Sequence, residues 1–298
     1  MRMSYIHVCA LACLVLLGAE KARADENLFG YVKGAETIPE GSWEFYQIVT
    51  NRSDKSVGHY SAWDTRTELE YGYTDRLSLS AGLLGQAINT SGLVIDGYLP
   101  GDKDSSWRVS GFELNAKYNF LSPALDNLGL STNWELVYTG IDPHSGQDKD
   151  TWSFDTLLIL QKYFLEGQLV WVSNFGIEAT WAKRGEIANL PPDFEWPTDP
   201  EMEIELLAST ALTYRFVSNW FFGAELAYET EFETEVGQER YSWFGGPTLH
   251  YGGPRWWATL TWFPQLSGGG EQFDGQDEHL HLIEKTRQEF RFKLGINF

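Results

Sequence analysis

Apolar and polar residues alternate with a period of two over most of the chain, most cleanly in Arg287–Phe298, R-Q-E-F-R-F-K-L-G-I-N-F. Phe290, Phe292, Leu294, Ile296 and Phe298 share one parity, and Glu289, Arg291, Lys293, Gly295 and Asn297 share the other. Successive side chains of a strand point to opposite faces, so this segment has one apolar face and one polar, charged face. The pattern recurs upstream. Trp63, Thr65, Thr67, Leu69, Tyr71 and Tyr73 oppose Asp64, Arg66, Glu68 and Glu70, and Phe112, Leu114, Ala116 and Tyr118 oppose Glu113, Asn115 and Lys117. Further rows place Trp134 and Leu136 against Glu135, Phe175 and Ile177 against Glu178, and Met202, Ile204 and Leu206 against Glu203 and Glu205. The later strands set Leu212 and Tyr214 against Arg215, and Leu226 and Tyr228 against Glu225 and Glu229, while Trp256, Leu260 and Trp262 form one more apolar row. Two stretches, Trp43–Thr50 and Trp152–Phe164, are apolar on both parities in part, and their register stays open.

The connections carry independent information. Short turns are predicted at Thr74-Asp75, Glu166-Gly167, Ser218-Asn219 and Gly252-Gly253-Pro254, with a compact link at L-S-P-A-L-D-N-L-G. Longer loops are predicted at 85–107, 141–151, 182–201, 231–240 and 265–284. The segment 182–201 holds Pro191, Pro192, Pro197 and Pro200, and proline cannot donate to a ladder, which excludes it from a wall. The last strand of a soluble sandwich alternates in the same way, but a sandwich has no reason to sort its loops into long and short by turns. A membrane barrel with both termini in the periplasm does. The fold class expected is therefore all-β, a transmembrane antiparallel up-and-down β-barrel of about 12 strands over residues 43–298. No sustained 3.6-residue pattern supports an α/β alternative. Residues 25–42 keep no period and carry Gly30, Gly34, Pro39 and Gly41, which fits a periplasmic lead-in or a short plug.

Composition changes the picture at three points. Met1-Arg2-Met3, an apolar run and Ala22-Arg23-Ala24 have the layout of a secretory signal peptide, with cleavage expected after Ala24. Cys9 and Cys13 fall within it, so the mature chain is expected to have no disulfide, thiolate nucleophile or cysteine metal site. The formal net charge of −20 sets aside nucleic acid as a partner. The 13 Trp, 14 Tyr and 18 Phe suit aromatic belts at two membrane interfaces, and the mean hydropathy of −0.31 is uninformative where only alternate residues meet lipid.

The stretch E-N-L-F-G-Y-V-K-G-A-E-T-I-P-E-G, followed by H-Y-S-A-W-D-T-R-T-E-L-E-Y-G-Y-T-D-R-L-S, resembles a family of uncharacterised Gram-negative outer-membrane β-barrel proteins known only as a domain of unknown function. The resemblance covers essentially the mature chain, its specific part being Glu26–Leu83. It implies an outer-membrane barrel and brings no catalytic or ligand-binding residue with it. The terminal strand is also similar to the outer-membrane assembly signal, in which alternate apolar residues and a final Phe, here Phe298, are read by the barrel-assembly machinery.

The inward parities collect Asp64, Arg66, Glu68, Glu70, Glu113, Lys117, Glu135, Glu178, Glu203, Glu205, Arg215, Glu225, Glu229, Glu289, Arg291 and Lys293. These form either a mutually satisfied ionic network or the lining of a water-filled path whose acidic excess favours cations. The histidines His59, His144, His250, His279 and His281 sit in no recognisable hydrolase motif, so no catalytic residue is assigned. Glu271, Asp274, Asp277, Glu278, His279 and His281 crowd the last loop without the spacing of a calcium or zinc site, and neither metal nor cofactor is expected. Gly268–Gly270 reads as a loop feature. The expected partners are outer-membrane lipid, lipopolysaccharide, the assembly machinery and a small solute. The function reading is a passive, porin-like channel for a small polar or cationic solute, with a structural or adhesion barrel and an outer-membrane hydrolase as alternatives.

Overall fold

The computed structural model describes residues 27–93, 102–187, 190, 196–233 and 237–298. The leader, its cleavage position, Cys9, Cys13, Pro191 and Pro192 lie outside these residues. Within them the alternation closes into one antiparallel barrel of strands β1 (Trp43–Ser53), β2 (His59–Thr74), β3 (Leu77–Ser91), β4 (Asp104–Leu121), β5 (Gly129–Ile141), β6 (Asp148–Phe164), β7 (Leu169–Arg184), β8 (Glu201–Val217), β9 (Trp220–Glu233), β10 (Gly237–Gly252), β11 (Trp256–Gly270) and β12 (Gln288–Asn297). Each strand pairs with its sequence neighbours. β12 closes on β1 through Glu44↔Asn297 to Ser53↔Gln288, and Trp43 and Phe298 exchange backbone hydrogen bonds of 3.0 Å in both directions.

The apolar parity faces outward. Phe290, Phe292, Ile296 and Phe298 are exposed, as are Leu69, Leu114, Leu158, Leu206, Leu212 and Leu260 on other strands. Aromatic rings cluster at two levels. Trp43–Tyr71, Trp220–Tyr251 and Tyr251–Trp256 are in contact near the end that carries Trp43 and the carboxy terminus, the terminal end. Phe112, Tyr138 and Trp152, with Tyr228–Trp243, form contacts at the other end. Two girdles around an apolar band are the surface a bilayer requires, because the amphipathic rings settle where hydrocarbon meets headgroups.

The two open registers now have physical causes. In β1 the even residues Glu44, Tyr46, Thr50 and Arg52 are buried inside. The polar Gln47 and Asn51 lie on the outer parity, where they bond to the neighbouring strand: Gln47 Nε2 to Arg66 O (3.1 Å) and Asn51 Nδ2 to Ala62 O (3.2 Å). In β6 the inner parity carries Leu157 and Ile159, both fully buried, and they face an apolar partner inside the barrel.

The wall is taller than the sequence suggests. β3 and β4 extend into the expected loop 85–107 from both sides, and β11 runs past Pro264 to Gly270, so Gly268–Gly270 pairs with Arg240–Ser242 instead of forming a loop. The last connection shrinks to 271–287. The sorting of connections is also looser than expected, since the link 122–128 at the terminal end is longer than 142–147 at the other. Residues 27–38 occupy the barrel interior, with Leu28, Phe29, Val32, Ala35, Glu36 and Ile38 all buried.

Candidate functional site

The interior is built around the inserted segment. Its backbone has no strand partner, so its polar groups must be met by wall side chains. The Glu225 carboxylate on β9 accepts from the N–H groups of Gly30 (2.8 Å), Tyr31 (2.7 Å) and Val32 (2.9 Å), and from the Thr261 hydroxyl (2.8 Å). The Asn174 amide meets Lys33 N–H and C=O, each at 2.8 Å. Gln161 Oε1 accepts from Ala35 N–H (2.7 Å), and Asn119 Nδ2 donates to Ala35 O (2.7 Å). Thr259 and Lys293 hold the carbonyls of Asn27 and Phe29 at 2.7 and 3.1 Å. Leu28, Phe29, Val32 and Ala35 pack on Leu157, Ile159, Val170, Val172 and Ala211 from β6, β7 and β8. Gly30 is needed for this close approach, because a Cβ there would lie 2.5 Å from Thr261 Oγ1.

Elsewhere on the inner face, charged side chains bridge several strands. Arg66 on β2 pairs with Glu113 on β4 and with Glu135 on β5 (2.6 Å), and Lys33 of the inserted segment reaches Glu135 at 2.5 Å. Arg52 is held by Asp64 at 2.6 Å and Lys285 by Glu229 at 2.6 Å. Arg240 contacts Glu231 and Glu284, and Lys149 and Arg184 lie 3.0 and 2.9 Å from Glu201. Such pairing offsets the cost of withdrawing charges from water without guaranteeing net stability.

The end opposite the terminal end is capped. Phe273, Leu280, Leu282 and Ile283 of the last connection form their own apolar cluster against Val57 and Leu93. The buried Lys55 ammonium donates to the carbonyls of Leu282 (3.2 Å), Ile283 and Lys285 (3.0 Å), tying the loop to the β1–β2 connection. Burial and the nearby Arg52 push Lys55 well below its ordinary pKa. Burial, together with Arg52 and Lys55, also holds His144 well below 6.5, and burial first, then Arg240, lowers His281 to about 3. Both loop histidines are therefore neutral at pH 7.

Three adjoining cavities lie between cap and inserted segment and then alongside it. The first, about 380 Å³, is bounded by Tyr31, Arg52, His144, Phe244, Lys285, Glu289 and Arg291. The second, about 290 Å³, shares Thr50, Asp64, Pro143 and Arg291 with the first. The third, about 80 Å³, shares Ile48 and Arg66 with the second and reaches Asn27 and Lys293 near the terminal end. The third is the smallest, with room for only a few waters, and is called the neck below.

Of the sixteen charged residues expected to point inward, Glu68, Glu70, Glu113, Lys117, Glu135, Glu225 and Lys293 are buried, and Asp64, Arg66, Glu178, Glu203, Glu205, Glu229, Glu289 and Arg291 are half-buried on the same face. Arg215 departs from the set: it is exposed at the terminal rim, in a separate cleft of about 390 Å³ with Glu166 and Asn219. The acidic last loop does not gather its residues into one site. Asp277 pairs with Arg287, whereas His281 is buried. Among the described residues the carboxylates that do converge are Glu201, Glu203 and Glu233, and Lys149 and Arg184 already neutralise Glu201. His250 is buried against Thr259 Oγ1 (2.7 Å) and packs beside Phe221 and Trp257. Sequence reasoning missed Asn174, Gln161 and Asn119 as ligands of the inserted backbone, and the apolar inner patch on β6 and β7. The double-sided hydrophobicity of Trp152–Phe164 was the available signal.

No curated protein matches the chain. Among solved structures, an outer membrane channel from Pseudomonas putida F1 superposes with a TM-score of 0.60 at 14% identity, over 89% of this chain and 98% of that one. The NanC porin gives a TM-score of 0.46 at 12% identity, over 85% of this chain and 98% of the other. At these identities the likeness is one of fold. Residues 21–298 match DUF6662, a family of unknown function.

Proposed function

We propose that this chain, which belongs to the DUF6662 family, is a passive channel of the bacterial outer membrane for small polar solutes. The observation that carries this reading is the series of cavities that runs past the inserted segment, from β9–β12 and β1 beneath the cap to β1–β5 further on. The expected preference for cations does not follow from this path. The neck is lined by Lys33, Arg66, Lys117 and Lys293 against Glu68 and Glu70, while Glu203, Glu205 and Glu231 lie on β8 and β9, outside all three cavities. Selectivity is set where the path is narrowest and the solute is least hydrated. In a planar bilayer under a KCl gradient, the reversal potential should therefore sit near zero or on the anion side. A strongly cation-selective current would contradict the assignment of this path, and an electrically silent bilayer would contradict the channel itself.

Outer-membrane placement also rests on the closing strand. Phe298 pairs with Trp43 through its backbone and exposes its ring. Its removal should reduce insertion into the membrane several-fold, as measured by heat-modifiable mobility of the folded fraction, while the conductance of each inserted barrel stays unchanged. Full insertion of the truncated chain would separate Phe298 from assembly.

A further inference from the structure

We infer that the largest of the three cavities binds a small zwitterion, a solute carrying one carboxylate and one ammonium or quaternary ammonium group. The inference deepens the channel reading and rests on it for solute access. It starts from how the charges around this chamber of about 380 Å³ are already committed. Arg52 is taken by Asp64 at 2.6 Å, and Lys285 by Glu229 at 2.6 Å. His144 is neutral. Two charges of opposite sign remain, both on the inner face of β12.

Arg291 donates from Nε to Thr50 Oγ1 (2.9 Å) and from Nη1 to Gly30 O (3.3 Å), and its guanidinium stacks 3.8 Å from the Tyr31 ring. These partners are neutral, and among the described residues no carboxylate lies within ion-pair distance of it. Glu289 accepts from the Tyr31 hydroxyl at 2.8 Å. Its cross-strand neighbour is Arg52, whose guanidinium is already engaged by Asp64 and by Pro143 O. Tyr31 thus spaces one cation from one carboxylate, neither of them in a direct ion pair. As next-but-one residues of a strand their Cα atoms are about 6–7 Å apart.

A zwitterion answers both groups at once, its carboxylate at the guanidinium edge of Arg291 and its cationic head at Glu289. A simple anion meets Arg291 but is repelled by Glu289, and a simple cation meets the reverse, so the arrangement discriminates by mismatched charge as well as by attraction. Phe244 and Phe263, with ring centroids 5.7 Å apart, add an apolar wall, and Tyr31 stacks on Phe263 at 4.1 Å.

The probe is glycine betaine, titrated calorimetrically into the purified mature barrel in detergent. Acetate and tetramethylammonium, which each carry one of its two charges, serve as comparators. Betaine should bind saturably and at least about tenfold more tightly than either comparator. Arg291→Gln and Glu289→Gln should each weaken it by about tenfold, and Arg291→Lys should recover part of the loss. Betaine binding no tighter than acetate or tetramethylammonium would overturn the inference with the unaltered protein alone, whatever the variants do. Binding undiminished in both glutamine variants would overturn it as well. Bilayer conductance of the same preparation separates this result from the channel reading. Conductance without betaine binding removes the zwitterion site and leaves the channel. Betaine binding in a silent barrel supports the site and removes the channel.

Discussion

Deletion of residues 27–38 should raise the single-channel conductance of the reconstituted barrel several-fold while the strands remain paired. The wall does not depend on the inserted segment for its backbone hydrogen bonds, because every strand is paired on both sides and β12 closes on β1. The segment instead fills the space in front of β6–β8, where Leu157, Ile159, Val170 and Val172 hold Phe29 and Val32. Its presence leaves beside it, on the side bounded mainly by β1–β5, only the smallest cavity of about 80 Å³. The interior of a barrel widens with strand number, so emptying one of this size exposes a cross-section far larger than that neck. Far-ultraviolet circular dichroism and heat-modifiable mobility check that the deleted protein still folds. Folded barrels with unchanged conductance would mean that the inserted segment does not restrict the path.

The parts of the fold that were legible in the sequence are those where lipid imposes a rule. Along β12, β2 and β8 every second residue must be apolar, so parity alone gave the orientation of Phe290, Leu69 and Leu206. Beyond the apolar band that rule lapses. Gly85, Ala87 and Asn89 continue the outer face of β3, yet they read as a loop because water does not demand hydrophobicity there. The inserted segment was illegible for a related reason. Its conformation is set by Glu225, Asn174, Gln161 and Asn119, which come from four different strands, so the segment needs no period of its own. The cost of hosting it appears instead on β6 and β7, where inward Leu157, Ile159, Val170 and Val172 blur an otherwise clean alternation. Charge partners were hidden too. Arg66, Glu113 and Glu135 meet only once the register of β2 to β5 is known.

Glu225→Ala should release the inserted segment and destabilise the barrel together. The carboxylate serves four donors: the N–H groups of Gly30, Tyr31 and Val32, and the Thr261 hydroxyl. Glu225 is 3% exposed, so water does not readily replace the missing oxygens. Each buried donor left without an acceptor costs about 1–3 kcal/mol, and the hydroxyl escapes part of that because Thr261 also lies 2.8 Å from Thr248 Oγ1. A loss on the order of 4 kcal/mol follows if the segment stays in place. Withdrawing only its Phe29–Val32 stretch would hydrate the three N–H groups but expose Phe29 and Val32, two fully buried apolar side chains, at about 1.5–3 kcal/mol each. The two routes are comparable in cost, so both states should be populated. Thermal unfolding in detergent should shift downward, and bilayer recordings should flicker between the low conductance of the intact protein and a higher level that stays below that of the deletion. Glu225→Gln keeps an acceptor oxygen for part of the set and should fall between the two. Wild-type stability and a single low conductance level in Glu225→Ala would show that the apolar packing on β6–β8 holds the segment without this anchor.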